Sequence, residues 1–202
     1  MTRLTDWRFV ALLLAVLGIG GALEIHASPP SPLETRMADN ATKSATAGLF
    51  ASSAEAEAFL TRVLPAATVA NPKYRSPGSD AETRWLTKTI TFQTNKNGGV
   101  VASMHESMDQ YRGGALTSQG THDATFAIGD VNISEEIGDD VAENGEKARA
   151  VMFRCVGAPC IQAVWGGEKS VSASTDIFIQ DATQREQILA AFQALQRKTD
   201  SQ

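Results

Sequence analysis

The spacing of apolar and polar positions changes twice along the chain. From Phe9 to Leu23 there is no period, only fifteen uncharged residues in one run. Phe59, Leu60, Val63 and Leu64 then recur on one helical face, and Ser52 and Glu55 have the spacing of a capping box, which together predict a helix. Pro65 is expected to end it, because proline removes a helical N–H and its ring clashes with the preceding turn. The stretch 71–80, NPKYRSPGSD, reads as irregular and turn-rich. After it the period shortens to two, with β-branched and aromatic residues suited to strands. Seven strands are expected: Trp85 to Thr94, Val100 to Met108 after an Asn97-Gly98 turn, Thr121 to Ile128, Val131 to Ile137, Ala148 to Cys155, Cys160 to Trp165 and Ser174 to Ile179. Gly129 and Asp130 alone separate the third from the fourth, so one bent strand is an alternative there. The period returns to helical at the end, where Asp181 and Gln184 fit a cap and Ile188, Leu189, Phe192 and Leu195 form a stripe. Glu186 near the start of this helix and Arg197 and Lys198 at its end agree with the helix dipole.

The N-terminal run is shorter than the ~20 apolar residues of a spanning helix and fits the core of a secretory signal. Arg3 and Arg8 flank its start, and Ile25 and Ala27 suit a cleavage site before Ser28, with Gly20 and Ala22 as an earlier site. The expected division is therefore a signal peptide over 1–27, a disordered linker over 28–48 and one globular domain over 49–199. The linker holds three of the seven prolines and almost no large apolar side chain, too little to repay the entropy of ordering. The alternative is an uncleaved anchor over residues 9–23 in the inner membrane, since tilt and Trp7 help a short segment span a thin bilayer. A lipoprotein is excluded, because the two cysteines lie far from the leader.

These elements make a mainly β chain with helices, of the α+β class. Seven strands followed by one amphipathic helix is the element order of a pleckstrin-homology-like barrel, in which two near-orthogonal sheets are closed at one end by the helix. Here an extra N-terminal helix precedes them. Residues 148–195, from VMFRCVGAPCIQ to TDIFIQDATQREQILAAFQAL, also resemble the closing region of small exported bacterial proteins of unknown function. That resemblance covers about a quarter of the chain and implies the fold, not an activity.

Charge narrows the partners. With 23 acidic against 18 basic residues the chain carries −5, which argues against nucleic acid or an anionic membrane surface. Membrane contact is expected only if the N-terminal segment stays uncleaved. Cys155 and Cys160 enclose a four-residue turn between two expected strands and are read as a structural disulfide, in preference to free buried thiols or a redox or metal pair. His105, Asp109 and His122 are the candidate metal ligands, if they converge across strands. The acidic stretch from Glu135 to Glu146 raises calcium, though without EF-hand spacing, against a solvated hairpin whose charges protect an edge. The sequons at Asn40 and Asn132 carry no functional weight. No nucleophile elbow, Walker loop or dinucleotide fingerprint occurs in the sequence, and no cofactor is expected.

The reading that follows is an exported, periplasmic or secreted, non-enzymatic module binding a protein or envelope component. Its expected binding surface is an exposed sheet edge or the groove beside Phe178 and the closing helix. Two alternatives stand beside it: a metal-dependent hydrolase using His105 and His122, and a membrane-anchored subunit of an envelope complex.

Overall fold

A computed structural model describes residues 49–199; the expected signal and linker lie outside the described residues. Nine strands form one antiparallel sheet: β1 (Tyr74–Arg75), β2 (Ala81–Thr94), β3 (Val100–Arg112), β4 (Ala115–Ala127), β5 (Val131–Ala142), β6 (Lys147–Cys155), β7 (Ile161–Trp165), β8 (Glu168–Ser172) and β9 (Ser174–Phe178). Helix α1 (Ser53–Val69) precedes the sheet and α2 (Ala182–Thr199) follows it, so the class is α+β.

The count exceeds the seven expected strands by β1 and β8. β3 and β4 meet in a two-residue turn at Gly113 and Gly114, and β7 and β8 at Gly166 and Gly167. All four glycines have positive φ, the backbone that a tight hairpin matched to strand twist requires. β1 falls inside the stretch expected to be irregular. It is only two residues long, yet it pairs with β2 on one side and β5 on the other.

The strand order is β8-β7-β4-β3-β2-β1-β5-β6-β9. β8 and β9 are thus the two edges of the sheet, and only Ala173 separates them in sequence. One residue spans a few ångströms, so the sheet must curl until its edges nearly meet. Ser172 Oγ spans this junction, donating to Ser174 O and accepting from Ser174 N–H. No ladder joins β8 to β9 among the described residues. The expected closed barrel or pair of orthogonal sheets is therefore corrected to one curled, open sheet.

The stretch between β4 and β5 is a 3-10 turn, Ile128–Asp130, and it separates two strands rather than bending one. β4 pairs with β3 and β7, whereas β5 pairs with β1 and β6, so this turn carries the chain across the curl. The Gln196 amide on α2 donates to Ile128 O and Val131 O and holds the crossing in place.

Both helices plug one end of the curl. Leu60 and Leu64 of α1 and Ile188, Phe192 and Leu195 of α2 join Ile90, Met104, Phe126, Val151, Phe153 and Ile177 in one apolar cluster. The caps are those expected: Ser52 Oγ accepts from Glu55 N–H, and Asp181 Oδ1 accepts from Gln184 N–H. Pro65 does not end α1, which continues to Val69. The final turn is held from outside. Beyond the short reach of β1, Thr87 N–H of β2 donates to Thr68 Oγ1 at 2.9 Å, and the Arg84 guanidinium donates to Val69 O. Leu64, Ala67 and Thr68 are buried in the same contact, so tertiary packing outweighs the hydrogen bond that proline removes.

Cys155 and Cys160 are joined by a disulfide, with their Cα atoms 5.7 Å apart. The turn between them is not a hairpin, because β6 and β7 are not neighbours in the sheet and belong to its opposite wings, β1-β5-β6-β9 and β8-β7-β4-β3-β2. The disulfide closes the short loop where the chain crosses between them, beside Asp130 O, which accepts from Val156 N–H. Replacing both cysteines with Ser is expected to lower the unfolding free energy by ~2 kcal/mol, read as a lower urea midpoint at constant slope. An unchanged midpoint would show that the crossing is held without the bond.

Candidate functional site

Inward-facing residues change character along the strands of the first wing. On β3 the inward positions run Val100, Ala102, Met104 and then Glu106; on β4 they run Phe126, Ala124 and then His122. On β7 Ile161 and Ala163 give way to Trp165, and on β2 Ile90 gives way to Thr87 and Trp85 past a bulge at Lys88. The helices cover the apolar half, which leaves the polar and aromatic half at the other end of the curl.

Glu106 and His122 lie directly opposite each other on β3 and β4 and are 4% and 5% exposed. His122 Nδ1 is 3.0 Å from Glu106 Oε2, and the Thr87 hydroxyl donates to Oε1 at 3.2 Å. A carboxylate so deeply buried needs both partners, since an unpaired buried charge costs several kcal/mol. Trp165, which pairs with His122 across β4 and β7, stacks on the imidazole with ring centroids 4.1 Å apart. Trp85 meets Trp165 edge-on at 5.5 Å and lies nearly parallel to Phe178 at 6.5 Å. His122, Trp165, Trp85 and Phe178 thus form a continuous row of rings from the first wing to β9.

This row walls a cavity of about 400 Å³, whose other sides come from Met152 of β6, Ser170 to Ser172 of β8 and Ser174, Thr175 and Asp176 of β9. Trp165 and Val171 are exposed at its margin. Asp176 lines it and is partly buried. Burial pushes the Asp176 carboxyl up to about 6; the charges of Glu106 and Asp140 act in the same direction, and His122 pulls it back. Among the described residues, no Lys or Arg lines the cavity.

The sequence candidates are divided by this geometry. His105 faces away from Glu106 on the same strand and pairs with exposed Asp123, Nδ1 to Oδ1 at 2.6 Å. Asp109 shares the His105 face, where it accepts from Gln119, whereas His122 is on the inner face. The three do not converge, and no group of three His, Cys, Asp or Glu among the described residues is arranged to hold a metal ion. The acidic stretch runs along β5 into the turn after it, and four of its carboxylates are engaged by cations. Glu135 accepts from Arg149 and from buried Arg185, Glu136 is bidentate with Arg154, and Asp139 and Glu143 meet Lys147 and Lys73. Hydrogen bonds from Arg154 hold the Glu136 carboxyl below the usual range. These pairs match a solvated, charge-paired surface better than a calcium loop, and they do not guard a sheet edge, because β5 lies between β1 and β6.

The cavity lies beside Phe178, but no residue of α2 lines it, so it is not a groove between Phe178 and the closing helix. Neighbours on a strand explain this: Ile177 and Ile179 turn inward to the helices, so Asp176 and Phe178 turn to the cavity. Glu106, Asp176, Trp85, Trp165 and Thr87 were not singled out from the sequence. Strand alternation was the available signal for Glu106, since it continues the inward series Val100, Ala102, Met104. Chemically, the site offers an aromatic wall, a carboxyl that gains charge near pH 6 and several hydroxyls. Comparison of the chain with family models, with curated proteins and with solved structures gives no match.

Proposed function

We propose that this chain is an exported, non-enzymatic binding module of the cell envelope, and that the cavity walled by Trp85, Trp165 and Phe178 is its ligand site. The observation that carries this reading is a cavity of about 400 Å³ between the nearly meeting edges of the sheet, lined by aromatic rings and a partly buried carboxyl. Concave sites of this volume, mostly apolar with a few directed polar groups, are the usual form of small-ligand sites. The ligand is an envelope component, either a free molecule or a group projecting from a larger one. Export and the pleckstrin-homology-like kinship suggested by residues 148–195 belong to the same proposal.

The test is native mass spectrometry of the full chain recovered from its own host, compared with Ser170→Trp, which places a large ring at the cavity margin without touching the apolar core. The expected result is a bound species on the native protein, chemically unchanged and absent from the variant. Retention by the variant would exclude the cavity as the site. Recovery of a converted product would favour an enzyme.

A further inference from the structure

We infer that the ligand of this cavity is an organic cation, a protonated amine on a compact apolar frame, with its ammonium at Asp176 and its frame against Trp85, Trp165 and Phe178. The inference rests on the cavity being the ligand site and adds the chemistry that would be recognised there.

The first argument is charge. Among the described residues, the ionisable groups lining the cavity are Glu106, His122 and Asp176. With both carboxyls ionised their sum is −2 or −1, according to whether His122 is neutral or protonated. With Asp176 protonated it is −1 or 0. While Glu106 is ionised the cavity presents no net positive charge, so an anionic ligand would meet hydroxyls and apolar wall but no counter-charge.

The second argument is pairing. Glu82, Glu135, Glu136, Asp139 and Glu143 each have an Arg or Lys partner, and Glu106 has His122. Asp176 has no such ion pair among the described residues. Arg154, which shares its face of β6 with Met152, is occupied by Glu136. The charged groups acting on Asp176 are Glu106 of β3, His122 of β4 and Asp140 of β5, and two of these three are acidic. An ammonium in the cavity would supply the missing counter-charge. Indole and phenyl faces attract the same cation and cover its hydrocarbon frame. The hydroxyls of Ser170 and Thr175 also line the cavity and suit the remaining ammonium hydrogens.

The experiment is calorimetric titration of the full chain with three probes of nearly equal size: 2-phenylethylamine, 2-phenylethanol and phenylacetate. The expected order has the amine tightest by at least about tenfold and phenylacetate weakest. Amine affinity should weaken about tenfold from pH 7.5 to pH 5, as Asp176 takes up its proton, while 2-phenylethanol affinity stays level. Asp176→Asn should remove both the preference for the amine and the pH dependence. A variant that binds the amine as the native protein does would overturn the inference, as would native protein that binds alcohol and amine alike. Alcohol binding that Ser170→Trp abolishes would preserve the cavity as a ligand site while removing the cation. No binding of any probe at millimolar concentration would remove both. The probe series on native protein requires no variant to fold.

Discussion

Asp176→Asn is expected to raise the stability of the chain at pH 8 by about 2–3 kcal/mol and to leave it unchanged at pH 3. The folded carboxyl releases its proton near 6, against an ordinary value of 3.8, because burial disfavours its charge and Glu106 and Asp140 add to the effect. The folded state therefore holds this proton more tightly than the unfolded state. Below 3.8 both states are protonated, and the contribution is fully present. Between 3.8 and about 6 the unfolded chain ionises first, and the contribution is lost progressively until both states are charged. About two pK units correspond to nearly 3 kcal/mol, and partial exposure reduces that figure. Asparagine carries no charge to lose, so its unfolding curve should stay level where the native curve falls. Urea melts of both proteins from pH 3 to 8 would show curves that separate between pH 4 and 6; parallel curves would place Asp176 in ordinary solvent. The same ionisation is the one that would prepare the cavity for a cation, so the proposed ligand should restore at pH 8 part of what the charge removes.

Phe153→Ala is expected to lower the unfolding free energy by about 3–5 kcal/mol, a large part of the total for a chain of this size. Phe153 is fully buried on β6, with ring centroids 4.9 Å from Phe126 on β4 and 4.8 Å from Phe192 on α2. One side chain thus joins the two wings of the sheet to the helix that plugs the curl. Truncation leaves a void that three elements would have to move together to fill, which a curled sheet fixed by its strand crossings resists. The measurement is the urea midpoint, with Val156→Ala as a control expected within 0.5 kcal/mol or so, because Val156 is 65% exposed. A shift below about 1 kcal/mol for Phe153→Ala would mean that the wings are held apart from this contact.

The positions of the helices were legible because capping residues and apolar stripes are local signals. Ser52 and Asp181 accept from the amides three residues on, as their spacing implies. The end of α1 was not legible. Pro65 is a sound stop signal in isolation, and the bonds that override it come from Thr87 and Arg84, some twenty residues away. The missed strand β8 and the longer β3 and β4 did have a local signal, in the pairs Gly113-Gly114 and Gly166-Gly167. β1 had none, because two residues become a strand only when flanking strands arrive on both sides.

The candidate site was less legible than the fold. His122 and Glu106 are both in sequence reach of a reader who follows alternation, but His105 and Asp109 share β3 with Glu106 and point the other way. Asp176 is more than fifty residues from either, and nothing local distinguishes it from the other acidic residues. By itself the sequence determined the α+β class, the caps and stripes of both helices, the cysteine pair and the acidic balance, all of which depend on neighbours along the chain. Tertiary structure alone decided that the sheet stays open, that the disulfide closes a crossing rather than a hairpin, and that Trp85, Glu106, His122, Trp165 and Asp176 share one cavity. The physical reason is the single residue between β8 and β9. It forces two edges of one sheet together, and the cavity beside that junction takes residues from seven strands, so it belongs to no one stretch of sequence.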